Sequence, residues 1–513
     1  MTKTIADIIY NLFAYARVGA VLFVGCVMAG VPASAQSRFA GTELSVSASA
    51  TVATGDYAPL WLTANRYGLG SVRTASAYER ATLQRSMDAD SSRCWRLGYG
   101  LDLALAQGHE RVGIVQQAYA EMAWKCLHVT LGANQQPLET HGSELTMGDL
   151  FAGINARPIP QLRIDVDWFT FPGTKGWWKW KLYGTIGFTT DGRWQESWVE
   201  PGKPRTGNVL YHEKGLFWNF GRKDVFPLTY EIGLRMGTQF GGTSYNVRTL
   251  RVAGGQPQDY VHGHGFKDFW HALIQQGSDA TDVSDPNTAG NTVGSYVMQL
   301  RYHGHGWQAT AYWERMFEDQ SMLTVQYGIR DMLIGGEVTL PRNPYVSSAV
   351  LEYVTTTNQS GAVYHDRTTS IPDKMNGRDD YYNHLLYAGY QHYGFTLGNP
   401  LLTSPLYNGA FGRDHEMKFN NNRVRAVNIG LAGDPTPEWH WRAMASFSRN
   451  WGTYSRPLAD PHVHQNYFLA EASYRPRWAS RWRGTLALGL DQGHIIGNSF
   501  GTQLTLQYDI LKN

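Results

Sequence analysis

From Leu44 to Ile510 the chain repeats one pattern: about ten residues of alternating apolar and polar side chains, a turn, then another such run. In the last run, Leu504-Thr505-Leu506-Gln507-Tyr508-Asp509-Ile510, every apolar group falls on one side, because successive side chains of a strand point to opposite faces. In the C-terminal third the pattern predicts strands over Tyr381 to Tyr390, Phe395 to Gly398, Arg423 to Ala432, Trp439 to Ser448, Asn466 to Tyr474, Gly484 to Leu490 and Phe500 to Ile510. A soluble sandwich alternates in the same way, so alternation by itself establishes only an all-β chain.

The connections add direction. Gln391 to Gly394 and Gly433 to Glu438 are tight and Arg475 to Arg483 is moderate, whereas Asn399 to Asn422 and Asn450 to Gln465 are long. Upstream, Tyr302 to Trp307, Pro341 to Tyr345, Pro172 to Gly176 and Gly221 to Pro227 continue the short set, and Gly241 to Val293 and Val354 to Asp380 the long one. Outer-membrane barrels have short periplasmic turns and long extracellular loops, so this rhythm predicts a transmembrane antiparallel β-barrel of about 18 strands with both termini periplasmic. One segment breaks the two-residue period. Phe266, Phe269, Trp270, Leu273 and Ile274 mark one face of a short helix in the longest loop, placed either across the lumen as a plug or against the outer rim.

The N-terminus fits this destination. Lys3 and Arg17 precede an apolar run from Val18 to Val31, and Ala33-Ser34-Ala35 supplies the small residues of a cleavage site. Residues 1–35 are therefore expected to be a signal peptide and 36–513 the barrel. A single-pass anchor would need a longer run, and Phe23 is a poor start for a lipoprotein motif ending at Cys26.

Composition narrows the class further. The net charge is +2 and hydrophobic content 42%. No basic stripe points to nucleic acid, and the polar balance excludes a polytopic helical membrane protein. Cys94 and Cys126 fall at the same end of the predicted sheet and are a candidate disulfide in an oxidising periplasm; two separate thiols are the alternative.

In the hairpin from Val424 to Phe447, Val427, Ile429, Leu431, Trp439, Trp441, Ala443, Ala445 and Phe447 form the expected lipid face. Arg423, Arg425, Asn428, His440, Arg442 and Ser446 are read on the other face, the arginines pointing into the lumen or lying at the headgroup level. Trp439, Trp441, Tyr474 and Tyr508 suit aromatic girdles, so most of the 18 Trp, 29 Tyr and 20 Phe need no ligand.

No catalytic motif is present: the chain has no G-x-S-x-G, no H-E-x-x-H and no phosphate-cradling loop. Three His-x-His pairs, His262/His264, His303/His305 and His462/His464, lack further ligands at metal spacing, and no cofactor is expected. Glycan binding needs only flat rings and planar polar groups. Candidate sets are Asn65, Arg66 and Tyr67; Trp194 and Trp198; Asp379, Asp380, Tyr381, Tyr382 and Asn383; and Arg449, Asn450, Trp451 and Tyr454. Each set also reads as girdle or loop packing.

Several short words then carry a resemblance. Trp61 to Gly68 (Trp-Leu-Thr-Ala-Asn-Arg-Tyr-Gly), Phe171 to Trp177, Gln359 to Gly361, Tyr381 to Asn383, Thr396 to Leu401, Asn421 to Val424 and Ser448 to Tyr454 resemble the capsule-assembly Wzi family over nearly the whole mature chain. The resemblance implies a non-enzymatic outer-membrane barrel of a Gram-negative bacterium that binds capsular or related surface polysaccharide as a lectin and helps assemble it. Its expected partners are that polysaccharide, outer-membrane lipids and the barrel-insertion machinery. One departure is that Glu43, Leu44, Ser45 and Val46 already read as strand, where family members from enteric bacteria carry a helical segment. The alternative is a diffusion porin for small saccharides. The tentative carbohydrate-binding residues are Asp379, Asp380, Tyr382, Asn383, Arg449, Asn450, Trp451 and Tyr454.

Overall fold

A computed structural model describes residues 41–90, 93–139, 144–248, 256–274, 290–318, 330–364, 375–458 and 462–512. The expected signal peptide lies outside the described residues. An 18-stranded sheet closes on itself. Its strands are β1 (Thr42–Ala53), β2 (Ala75–Arg85), β3 (Trp95–Gln107), β4 (Gly113–Trp124), β5 (Leu127–Ala133), β6 (Gln161–Thr170), β7 (Trp178–Phe188), β8 (Leu210–Phe220) and β9 (Leu228–Phe240). They continue as β10 (Asn291–His303), β11 (Gln308–Glu318), β12 (Met332–Thr339), β13 (Ser348–Thr355), β14 (Val424–Thr436), β15 (Trp439–Asn450), β16 (Val463–Tyr474), β17 (Trp482–Gly493) and β18 (Ser499–Leu511). Every strand pairs antiparallel with its sequence neighbour, and β1 pairs with β18 in register Ala48↔Leu506, which removes both sheet edges. Closure matters because a backbone amide left unpaired in hydrocarbon costs several kcal/mol.

The alternation maps onto the two faces of this cylinder. On β17 and β18, Leu486, Leu488, Leu490, Phe500, Leu504 and Leu506 stay exposed on the outer wall. Between them Ala487, Asp491 and Gln503 are buried inside. Ser49 Oγ meets Thr505 Oγ1 at 2.8 Å, which places Thr505 on the inner wall as the terminal alternation predicts. At the periplasmic rim, Trp439 stacks on Tyr474 with ring centroids 4.5 Å apart, and tilted pairs form between Trp482 and Tyr508 at 4.9 Å and between Phe171 and Trp178 at 4.5 Å. These rings form the girdle at the headgroup level.

The short turns 221–227, 304–307 and 340–347 fall at the same end as both chain termini, as expected, and the long connections fall at the other end. Two predicted strands are absent from the barrel wall. Tyr381 to Tyr390 is irregular, and Phe395–Thr396 forms only a small hairpin with Gln391–His392. Left-handed backbone at Tyr382 (φ 66°), Gly389 (φ 79°), Tyr393 (φ 54°) and Gly394 (φ 79°) bars a continuous strand here. The residues instead belong to the connection 356–423, whose segment 379–423 folds into the lumen. Because two strands drop out together, the up-down phase is unchanged.

The helix predicted from Phe266 forms as Phe266–Ile274, but on the rim rather than across the lumen. Phe269 packs on His212 and Phe240, and Lys214 donates to the Leu273 carbonyl; His212 and Lys214 share the outward parity of Trp218. The arginines also need correction. Arg425 alternates in phase with Val427 and Ile429 and is exposed, so Arg423 and Arg425 lie on the outer wall at the extracellular headgroup level; Asn428, His440, Arg442 and Ser446 face the lumen. Cys94 and Cys126 are free and exposed. Their ends of the sheet coincide, but Cys94 lies opposite Lys125, whose amide donates to the Cys94 carbonyl at 3.3 Å. Cys126 follows in the two-residue turn between β4 and β5, where Lys125 takes left-handed backbone (φ 55°).

An arginine on the lipid face should be costly. Leu488→Arg is expected to destabilise the folded barrel by about 2–4 kcal/mol, read as loss of the heat-modifiable band after refolding into vesicles.

Candidate functional site

Described segments of the extracellular loops pack into the lumen, and its wall supplies the acceptors that hold them. Arg235 on β9 is fully buried between Asp149 of loop 134–160, at 2.9 Å, and Glu314 on β11, at 2.8 Å. Glu314 also accepts the backbone N–H groups of Leu150 (2.6 Å) and Phe151 (3.1 Å). One strand pair further, Glu352 on β13 accepts from Thr146 Oγ1 (2.5 Å), Met147 N (2.8 Å), Tyr312 OH (2.8 Å) and Asn428 Nδ2 (3.0 Å). A carboxylate that accepts several N–H and O–H donors offsets its own desolvation and satisfies loop amides that would otherwise be buried unpaired.

Other loops are tied the same way. Glu318 accepts from Tyr382 N at 2.6 Å, and Asp331 from Asn358 N at 2.9 Å and Tyr381 OH at 3.1 Å. In loop 54–74, a single helical turn, α1 (Leu60–Thr63), presses into the wall: Leu60 N donates to Asp491 at 2.9 Å and Trp61 Nε1 to Ser446 at 3.2 Å. Inward-facing Gly489 and Gly501 admit this turn, since a Cβ on either would come within 2.6 Å and 2.8 Å of Pro59. Above the polar tethers the loops share an apolar core with the wall, including Leu145, Phe151, Tyr381, Tyr382, Tyr390 and Phe419. Burial pushes the Tyr381, Tyr382 and Tyr390 phenols well above their ordinary range.

Small cavities remain inside the barrel. One of about 100 Å³ lies between the loops and β6–β9, lined by Glu139, Arg163, Tyr183, Tyr211, Glu213 and Tyr390, among others. It has room for a few waters rather than a saccharide chain. Another, about 170 Å³, opens at the periplasmic mouth beside Glu43, Gln84, Arg475, Arg483 and Asp509.

The sequence candidates divide by depth. Tyr382 has no exposed surface; its hydroxyl accepts from Asn399 N at 3.0 Å and donates to the Leu150 carbonyl. Asn450 is also buried, bonded to Ser448 and Asn421. Asn383 pairs reciprocally with the Phe419 backbone, both bonds at 2.9 Å. These three fasten loop 356–423. Asp380 is part-exposed and binds Lys418 (3.0 Å) and Asn422 (2.7 Å), and Asp379 N donates to the Gln359 carbonyl at 3.1 Å. Arg449 is exposed on the outer wall, Trp451 stands beside His462 at 5.2 Å, and Tyr454 lies under the Arg423 guanidinium at 3.8 Å. The set is therefore not gathered into one site. Asn65, Arg66 and Tyr67 lie in the lumen, where Arg66 pairs with Glu471 at 3.2 Å and Tyr67 OH donates to the Gln136 carbonyl at 3.0 Å.

The second helix, α2 (Gly192–Trp198), carries Trp194 and Trp198 to the extracellular cap. Their rings stack at 5.2 Å; Trp198 meets His415 at 5.1 Å, and Tyr393 lies under Arg157 at 4.3 Å. Among the described residues no group of three His, Cys, Asp or Glu is gathered to hold a metal, and His462 and His464 contact each other at 3.1 Å. Arg235, Glu314, Glu352 and Asp331 were not singled out from sequence. The signal available was an acidic residue at lumen parity in a strand otherwise rich in aromatics, such as Glu314 between Tyr312 and Met316.

No protein-family model matches the chain, and no curated protein sequence matches it. Among solved structures the fold is similar to Wzi of Escherichia coli, an outer-membrane protein involved in group 1 capsule assembly and described as a carbohydrate-binding β-barrel. The identity is 14% and the TM-score 0.54, covering 93% of this chain and 86% of that one. It is also similar to Pseudomonas aeruginosa OccK3, at 10% identity and TM-score 0.44 over 91% and 95% of the two chains. A loop-deleted OmpT of Vibrio cholerae gives 8% identity and TM-score 0.34 over 91% and 98%. The chain is a large β-barrel of the Gram-negative outer membrane.

Breaking the central clasp should release the loop. Arg235→Met strands two buried carboxylates and is expected to cost about 3–5 kcal/mol. Proteinase K should then cut within 134–160 of the folded barrel much faster than in wild type; unchanged resistance would contradict the assigned role.

A second expectation concerns His392, in the small luminal hairpin. Its Nδ1 donates to the Arg157 carbonyl at 2.8 Å while Nε2 accepts from Thr190 N at 3.2 Å, so the geometry fixes the neutral ring. Burial lowers its pKa, opposed by nearby Asp191 and by the Arg157 carbonyl and reinforced by the Arg157 guanidinium. The unfolded chain binds this proton more readily, so the contribution to stability is present above about pH 6.5 and is lost as pH falls below it. Side-chain ¹⁵N NMR should show His392 still neutral at pH 6, and ordinary titration there would contradict the assignment.

Proposed function

We propose that this barrel binds surface polysaccharide at its extracellular cap and acts as a docking platform rather than as an open pore or an enzyme. The observation that carries this reading is the packing of the lumen: among the described residues, segments of loops 54–74, 134–160 and 356–423 form a core with the wall, and the cavities beside them are small. A glycan then has its contacts at the cap. There Trp198 offers a half-exposed ring next to His415, and Asp380 with Lys418 offers paired polar groups. Such rings and planar groups suit sugar faces and hydroxyls. Among the sequence candidates, Asp379, Asp380, Trp451 and Tyr454 remain in this reading as cap contacts. The carbohydrate-binding character of Wzi supports it at the level of a shared fold.

The second reading is a substrate-specific channel. It is favoured by the charged cavity holding Glu139, Arg163 and Glu213 on the inner side of β6–β9. Planar-bilayer recording of the purified full-length barrel separates the two. The docking reading expects no steady conductance, together with retention of the producing cell's own surface polysaccharide on immobilised protein. Trp198→Ala should weaken that retention about tenfold, the order of one lost aromatic contact. Large steady currents with no glycan retained would overturn the docking reading in favour of the channel.

A further inference from the structure

On the outer wall, above the hydrocarbon band, three strands carry one row of basic side chains. Arg425, Arg449 and His464 are direct cross-strand neighbours on β14, β15 and β16, and all three are exposed. Arg423 stands above them over the Tyr454 ring, and Arg425 lies 5.4 Å from the Trp451 ring. Arg423 and Arg425 are steadied by Thr357, through its carbonyl at 3.5 Å and its hydroxyl at 3.1 Å. Among the described residues none of the three guanidiniums is paired with a carboxylate.

Directly below, the same strands are hollowed. Ala443, Ala445 and Ala470 form the floor of an apolar groove of about 400 Å³, with Ile429, Phe468 and Leu490 at its sides. The Ile429–Ala445–Phe468 row lies four residues periplasmic of the arginine row, about 13 Å at the rise of a strand. Val427 and Phe447 bridge the interval. An exposed lipid wall alone would need neither the hollow nor the unpaired cations. A guanidinium row at headgroup height matches phosphate oxygens, and the groove matches an acyl chain hanging from them.

We propose that β14–β17 form a specific site for a phosphorylated, multiply acylated glycolipid of the outer leaflet. The phosphates lie on Arg423, Arg425 and Arg449, and one acyl chain fills the alanine-floored groove. The site is independent of whether the cap binds polysaccharide or the lumen conducts.

Full-length barrel in neutral detergent is loaded with an acylated glucosamine disaccharide bearing two phosphates, and retained lipid is counted by native mass spectrometry. Three other probes run alongside: the same lipid without phosphates, the phosphorylated sugar without acyl chains, and a zwitterionic phospholipid. The phosphorylated glycolipid should be retained preferentially, and less so at high salt. The triple variant R423Q/R425Q/R449Q should lose this retention by about tenfold or more while binding the dephosphorylated lipid as before. Ala445→Trp, which fills the groove, should reduce binding of both lipids. Heat-modifiable migration confirms that each variant is folded. Equal retention of phosphorylated and dephosphorylated lipid, or full retention by the folded triple variant, would overturn the proposal. So would equal binding of the acyl-free sugar phosphate, which would mark an anion site and not a lipid site.

Discussion

The structure depends on one buried cluster of charges. Arg235 sits inside the wall with Asp149 on one side and Glu314 on the other, and Glu314 in turn takes two backbone amides of the same loop. Charges removed from water are tolerated only when their partners and hydrogen bonds are complete. The wall and the loop therefore satisfy each other: without the loop, Arg235 and Glu314 would face a wet lumen; without the wall, the turn at 146–151 would have no acceptors for its amides. Glu352, Glu318, Asp331 and Asp491 repeat this arrangement around the barrel, each holding a loop amide. These five inward carboxylates are anchoring points for loops.

That arrangement changes what the inner face of the sheet is. In an open barrel, inward polar residues meet water. In this chain the inner wall also presents small residues against which loops pack, as at Gly489 and Gly501 beneath α1 and at Gly430, where a Cβ would lie 2.6 Å from that of Leu145. The barrel thus has an apolar band outside, solvated by lipid, and a mixed core inside, solvated by its own loops. Functional surface is left at the cap, at the periplasmic mouth and on the outer wall at headgroup height.

Much of this was legible in the sequence. The strand at Phe500 to Ile510, the turns near 221–227 and 304–307, the outward leucines and the helix beginning at Phe266 all follow from side-chain period and loop length, which are local properties. The errors arose where a local pattern served a nonlocal environment. Tyr381 to Tyr390 has the aromatic content of a strand, yet Tyr381 and Tyr382 are both fully buried because the loop is enclosed on all sides. Arg423 and Arg425 were set apart from Val427 on polarity, although the two-residue period puts them on its face. Cys94 and Cys126 stand at one end of the sheet as two separate thiols, the alternative reading of the pair. The tethers at Arg235, Glu314 and Glu352 could not be read at all, since their partners lie on loops far away in sequence. Of the words that carry the resemblance to the Wzi family, Trp61 to Gly68 and Thr396 to Leu401 are loop tethers in the lumen, and Phe171 to Trp177 is a periplasmic turn. They encode the fold more than a ligand.

The central claim is that the long loops are a folded part of the barrel interior. Hydrogen exchange of the intact barrel in detergent, resolved to single amides, tests it most directly. Leu60, Met147, Leu150, Phe151 and Tyr382 donate their N–H groups to buried carboxylates of the wall and should be protected to the same degree as the strands that carry them. Exchange of these amides at the rate of exposed loops, while the strands remain protected, would contradict the account.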